Sequence, residues 1–211
     1  MAITLIATKF SRVVSSIALY CFAQSSFADL AIGQTAPEFS AIDVNGKSHK
    51  LSDYKGKTVV LEWVNPGCPF VKKHYAASSN MQATQKQALT RANVVWLAIN
   101  STEKNHADYL APAALGAWMK QHGAQTSGVL MDESGDIGKA YGAKTTPHMY
   151  IIGPQGQLVY AGGIDSIRSA SAADIPKASN FVNLALAELG AGKVITTPTS
   201  IPYGCSVKYK N

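Results

Sequence analysis

Cysteine is scarce in this chain. There are three in 211 residues, Cys21, Cys68 and Cys205, and no two form a C-x-x-C pair. Residues 63–71 read WVNPGCPFV, an apolar run ending at a cysteine and a proline. Val71 stands where a C-P-x-C motif would carry its second thiol, so any group that resolves Cys68 comes from elsewhere. Acidic residues are missing from the beginning, with no Asp or Glu before Asp29. Long apolar runs are missing as well. The run from Val13 to Phe22 falls short of the roughly 20 residues that span a bilayer. Lys9 and Arg12 begin that region and Ala23-Gln24-Ser25-Ser26-Phe27-Ala28 follows it. The pattern predicts a secretory signal peptide over residues 1–28, cleaved after Ala28. It excludes stable membrane insertion after cleavage and predicts a periplasmic or otherwise secreted protein.

Internal repeats and low-complexity stretches are also absent, as is any basic stripe interleaved with aromatics. The formal charge of +6, less the two charges of Lys9 and Arg12, leaves +4 on scattered lysines, which serves solubility rather than nucleic-acid binding. Residues 29–211 are long enough for one domain that buries about 70% of its unfolded surface. Its core is expected over residues 31–190, with a tail over 191–211. Cys21 leaves with the signal, so Cys68 and Cys205 remain. In an oxidising compartment two cysteines can form a structural staple or a catalytic pair, and spacing alone does not choose.

The apolar patterning predicts an α/β fold. Residues 38–48 read as a hairpin around Asn45-Gly46. Residues 57–65 and 93–100 are buried strands, with a helix over 69–91 between them. Helices over 112–122 and 136–141 alternate with a short strand at 128–131. A strand at 148–152 pairs with 157–161 across Gly153-Pro154-Gln155-Gly156. A last helix begins at Phe181 and stops at Gly190, and 166–178 reads as a surface loop. Alternating strands and helices imply a sheet with helices on both faces. The tail carries Ile201, Pro202, Tyr203 and Cys205, too apolar to stay free, so it docks on the body.

Three positions carry chemistry. Cys68 follows a strand and precedes Pro69, which is favoured in a first helical turn. The thiol therefore meets unpaired N–H groups and the positive end of a helix, which lower its pKa and raise its thiolate fraction. Lys72 and Lys73 add positive charge one turn on, or simply form a solvated helix face. Glu62 lies inside Val59-Val60-Leu61-Glu62-Trp63-Val64. A carboxylate there costs several kcal/mol unless neutral, paired or hydrated. It would have a raised pKa and could pass protons to a sulfur above it. The alternative is an edge position in water, or a pairing with Lys57 or Lys144. Thr146-Pro147 opens another buried strand through an X-Pro bond able to be cis, with His148 beside it as general acid/base, ligand or filler.

Taken together, these residues resemble the thioredoxin-like superfamily, in the redoxin branch that includes peroxiredoxins and peroxiredoxin-like proteins. The resemblance rests on four features. They are Gly33-Gln34-Thr35-Ala36-Pro37-Glu38-Phe39, Leu51-Ser52-Asp53-Tyr54-Lys55-Gly56-Lys57 leading into VVLEW, Cys68 at a strand–helix junction, and Thr146-Pro147. It implies a central mixed sheet flanked by helices, with an N-terminal β-hairpin and a docked C-terminal tail. It implies Cys68 as nucleophile and Glu62 as the buried acid beneath it. Thr146 and Pro147 would align a partner's extended chain, with Pro69 and Phe70 beside the thiol as further substrate contacts. Cys205 would be a distant resolving cysteine.

The activity implied is thiol–disulfide exchange on a protein or small-molecule disulfide, driven by an unidentified reductant and needing no cofactor. Peroxide reduction is the alternative. It fits less well, because P-x-x-x-T-x-x-C would need Pro at 61 and Thr at 65, where Leu61 and Asn65 stand. No Arg occurs between Arg91 and Arg168 to bind peroxide. Two non-enzymatic readings remain: a binding module stapled by Cys68–Cys205, and a metal chaperone using Cys68, His74 and His148. The second would have one cysteine where related copper proteins have two.

Overall fold

Residue alternation along one central strand decides how the layers form. The structure, a computed structural model, describes residues 30–210. The segment read as a signal peptide lies outside the described residues. Strand β3 (Thr58–Trp63) is buried along its whole length. Val59, Leu61 and Trp63 join a buried cluster with Phe39, Ile137 and Tyr141. Val60 and Val64 join the opposite cluster, with Val71, Tyr75, Leu115 and Leu186. Successive strand side chains point to opposite faces, so Glu62 faces the second cluster.

Before β3 come β1 (Ser40–Ile42) and β2 (Ser48–Lys50), an antiparallel ladder, and a 3₁₀ turn over Leu51–Tyr54. The hairpin expected over 38–48 is present, shifted by two residues at each end. After β3 come α1 (Pro69–Tyr75), α2 (Asn80–Leu89), β4 (Val94–Asn100), α3 (Pro112–Gln121), β5 (Gly128–Met131) and α4 (Asp136–Tyr141). Then follow β6 (Thr145–Thr146), β7 (His148–Ile152), β8 (Leu158–Gly162), α5 (Phe181–Gly190) and β9 (Cys205–Ser206). The central sheet has the order β5-β4-β3-β7-β8. β3, β4 and β5 run parallel, and β7 and β8 are antiparallel to their neighbours. This is the mixed sheet expected, with α1, α2, α3 and α5 contributing to one cluster and α4 to the other.

The single helix expected over 69–91 is in fact two. Ser78 Oγ donates to Lys73 O at 2.7 Å, and Ala76 and Ala77 N–H both bond Lys72 O. A serine that captures a backbone carbonyl competes with the helical ladder, and α2 then restarts from Ser79, which stands at its N-cap position without a side-chain bond to the helix. The 166–178 segment also departs from the expected loop, because Ala172–Lys177 forms a 3₁₀ helix. On α3, Leu115 and Met119 are buried as the periodicity requires, whereas Trp118 and His122 stack on each other half-buried.

From Ser200 to Tyr209 the tail is docked on the body. Ser200 Oγ accepts from Gly163 N–H at 2.9 Å, Val207 N–H bonds Lys144 O at 3.1 Å, and Tyr209 OH donates to Ala143 O at 2.7 Å. No helix among the described residues is long and apolar enough to cross a membrane.

Candidate active site

The site lies at the C-terminal end of β3, where the chain leaves the sheet through Val64-Asn65-Pro66-Gly67. Asn65 shapes that turn: its side-chain oxygen accepts from Gly67 N–H at 2.7 Å and its carbonyl from Cys68 N–H at 3.0 Å. Cys68 is the N-cap of α1 and Pro69 its first residue, as the sequence implies. Its side chain is only 2% exposed.

Three segments converge on the Cys68 sulfur. Sγ lies 3.0 Å from Thr146 O and accepts from Cys205 N–H at 3.4 Å. The Thr146–Pro147 bond is cis. Thr146 and Cys205 are direct partners in the β6–β9 ladder, with Thr145 opposite Ser206. Cys68 and Cys205 are free thiols in contact.

The two thiols are electrically unequal. Burial alone would push the Cys68 pKa up. Hydrogen bonds from the Cys205 thiol and the Cys205 N–H lead the effects that outweigh it, and the pKa falls below its usual value. The Thr146 hydroxyl is buried without a hydrogen-bond partner. Cys205 goes the other way. Burial, and then its hydrogen bond and charge interaction with Cys68, push it up to about 11. Of the two thiols Cys68 is therefore the one that ionises more readily, and Cys205 the one that holds its proton.

Glu62 is fully buried, which excludes an edge position or a pairing with Lys57 or Lys144. Tyr75 OH donates to Oε1 at 2.8 Å, Gln85 Nε2 to Oε2 at 3.0 Å and Trp96 Nε1 to Oε2 at 2.8 Å. Burial raises its pKa to about 7 against those hydrogen bonds. Its partners Tyr75 and Trp96 belong to the same apolar cluster as Cys68.

Of the other residues singled out in the sequence, Thr146 and Pro147 are buried beside the sulfur. Pro69 is exposed, and Phe70 packs edge-on against Tyr203 with ring centroids 5.9 Å apart. Lys73 does not lie on a solvated face. It is fully buried, with Nζ 3.7 Å from Asp165 Oδ2 and 3.5 Å from Tyr203 OH. Tyr203 OH donates to Asp165 Oδ1 at 2.5 Å. His74 bonds Tyr203 OH through Nε2 and Asn80 through Nδ1, so neither ring nitrogen is open to a metal. Burial holds it well below its usual pKa, at about 3, so it is neutral. His148 is buried against Tyr150, with Nδ1 accepting from Lys144 N–H at 3.2 Å. Among the described residues no group of three or more His, Cys, Asp or Glu could hold a metal ion.

Tyr203, Lys73 and Asp165 were not found as a unit from the sequence. Only Tyr203 gave a signal, an aromatic two residues before Cys205. Lys73 looks in sequence like any helix lysine, and Asp165 stands at the edge of an irregular segment.

Over 127 residues the chain is 30% identical to thiol-disulfide oxidoreductase ResA of Bacillus subtilis, covering 60% of this chain and 64% of that protein. The chain thus spans less than two thirds of that relative's length. Among solved structures it resembles a conserved protein of Geobacillus kaustophilus, with a TM-score of 0.72 and 26% identity over 86% of this chain and 93% of that one. It also resembles a thiol:disulfide interchange protein from Bacteroides sp., with a TM-score of 0.50 and 22% identity, covering 64% of this chain and 82% of that one. The fold is thioredoxin-like. The sequence profile of the AhpC/TSA family matches residues 32–161, more than half the chain, and the protein belongs to the AhpC/TSA family.

Proposed function

We propose that this protein is an exported thiol–disulfide oxidoreductase with Cys68 as nucleophile and Cys205 as resolving thiol. The observation that carries this reading is the β6–β9 ladder, which sets Cys205 opposite Thr146 with both its thiol and its N–H on the Cys68 sulfur. A structural staple needs no such electrical asymmetry between its thiols. A nucleophile and a resolver do.

The cycle follows from the two pKa directions. The Cys68 thiolate attacks one sulfur of a protein disulfide. A Cys68–substrate disulfide forms, and the other substrate sulfur leaves as a thiolate and takes up a proton. Once Cys68 is bound, its negative charge is gone, and with it the charge and hydrogen bond that help hold Cys205 protonated. Cys205 then loses its proton and attacks the Cys68 sulfur. The substrate leaves reduced, and Cys68–Cys205 becomes the oxidised form. A reductant supplying two electrons restores both thiols. Glu62, near pKa 7, holds the proton that the sulfur chemistry releases and consumes.

The residues around Cys68 do not favour peroxide reduction. Arg91 sits beside Thr58 at the opposite end of β3, and Asn65 occupies the threonine position with its side chain committed to the turn. Export rests on residues 1–28, and intact-mass measurement of the mature protein tests cleavage after Ala28.

Trapping tests the scheme. Cys205→Ser should accumulate mixed disulfides with other proteins and Cys68→Ser should not. Equal trapping by both variants, or by neither, would sink it.

A further inference from the structure

Cys68 poses a difficulty for any protein substrate. Its sulfur is buried, and the chain's own tail supplies part of that cover. Tyr203 packs on Phe70, Gly204 crosses Thr146, and Cys205 lies in the β6–β9 ladder. A polypeptide reaching Cys68 in extended form needs the same hydrogen-bonding edge of Thr145-Thr146. Tail and substrate cannot both have it.

The tail is fitted to this edge residue by residue. Gly204 has φ +146, and a Cβ there would overlap the Thr146 carbonyl. Only glycine passes this close. Tyr203 is buried between α1 and the segment after β8, with its hydroxyl on Asp165 and its ring against Phe70. The anchors at Ser200 and Tyr209 lie on either side and do not touch the sulfur.

We propose that residues 203–205 are a tethered substrate mimic. They close the Thr145-Thr146 edge against other chains, and they display the sequence that an incoming segment must match, an aromatic residue and a glycine directly before its cysteine. The closed form keeps Cys68 from indiscriminate exchange. A matching polypeptide competes the tail off the edge between its two anchors and presents its own cysteine sulfur where Cys205 had been. This inference rests on the exchange reading above.

The test uses the full chain and three probes. The first is the peptide of residues 201–208, IPYGCSVK, with its cysteine in a mixed disulfide with 2-nitro-5-thiobenzoate. The second is the same peptide with alanine for its glycine. The third is the small disulfide 5,5′-dithiobis(2-nitrobenzoate). The Cys68 thiolate attacks the peptide sulfur, forms a Cys68–peptide disulfide and expels the coloured nitrothiobenzoate thiolate, the better leaving group. Opening the edge removes the population penalty of a closed site. Gly204→Ala protein should therefore react with the glycine peptide about tenfold faster than the unmodified chain, if the edge is free roughly one tenth of the time. The alanine peptide should react more slowly than the glycine peptide with both proteins.

Equal rates for the two peptides, or for the two proteins, would overturn the mimic while leaving exchange at Cys68 intact. Failure of the small disulfide to react at Cys68 even in Gly204→Ala protein, judged against Cys68→Ser, would overturn the exchange reading and the mimic with it. Should Gly204→Ala not fold, amide exchange on the unmodified chain decides. Adding an unreactive peptide with serine for cysteine should speed exchange at Cys205 and Val207, and unchanged exchange there would overturn the proposal.

Discussion

Among the described residues two small antiparallel ladders lie outside the main sheet, and they are held by opposite means. The β1–β2 ladder is local. Its turn closes through Asp43, whose Oδ1 accepts from Asn45 N–H at 2.8 Å and Lys47 N–H at 2.9 Å. Buried His49 then ties the ladder to Asp43 and Tyr54. The β6–β9 ladder joins the middle of the chain to its end, with no turn between the strands. It is held by a side chain, Tyr203, driven into a buried cluster of Lys73, Asp165 and His74. Each ladder also has one glycine at positive φ. Gly46, at +83, has open space around it, whereas Gly204 lies against the Thr146 carbonyl. A local ladder needs only a permissive turn. A non-local one must overcome loop-closure entropy and so needs an anchor, and an anchor can be released.

The strongest way to break this contrast is at the anchor. Lys73→Met leaves Asp165 buried without its cation, and removing one partner of a buried pair costs roughly 3–5 kcal/mol. Urea unfolding should show that loss, and a loss under about 1 kcal/mol would mean that the cluster does not hold the tail. Tyr203→Phe keeps the ring on Phe70 but strips hydrogen bonds from Asp165 and His74, a cost of about 1–3 kcal/mol. Its effect should concentrate in the second ladder, seen as faster amide exchange at Val207 with the hairpin unchanged.

Gly46→Ala acts only through backbone strain and should cost about 1–2 kcal/mol. It should leave the rate of Cys68 exchange as it was, and a changed rate would couple two regions that the structure keeps apart. The smallest effect is on proton affinity. The Cys205 thiol helps lower the Cys68 pKa, so Cys205→Ala should raise it. Alkylation of Cys68 rises with pH as thiolate forms. Its midpoint should lie below 9.0 in the unmodified chain and move up in the variant.

Much of the scaffold was legible because its signals are local. Apolar runs bounded by Gly and Pro located β3, β4 and β7, and Asn45-Gly46 located the hairpin. Cys68 before Pro69 placed the thiol at a helix start. Glu62 stood out because a carboxylate among valines and a tryptophan has few cheap solutions. Its partners were not legible, since Tyr75, Gln85 and Trp96 come from three separate elements. The helix break at Ser78 was missed because helical periodicity continues on both sides of a single captured carbonyl. Lys73 was misread because nothing along a helix reveals that its cation will be covered by a distant tail.

By itself the sequence determined the α/β order, a lone thiol at a strand–helix junction and a second thiol in an apolar tail. These follow from periodicity, turn chemistry and composition, each readable within a few residues. Only the tertiary structure decided that Cys205 reaches Cys68, that the tail closes the edge beside Thr146, and that Lys73 and Asp165 lie buried under Tyr203. Those facts depend on which surfaces remain unpaired once the sheet has formed. A chain end finds such a surface by burying an aromatic and completing hydrogen bonds that no neighbour in sequence can supply.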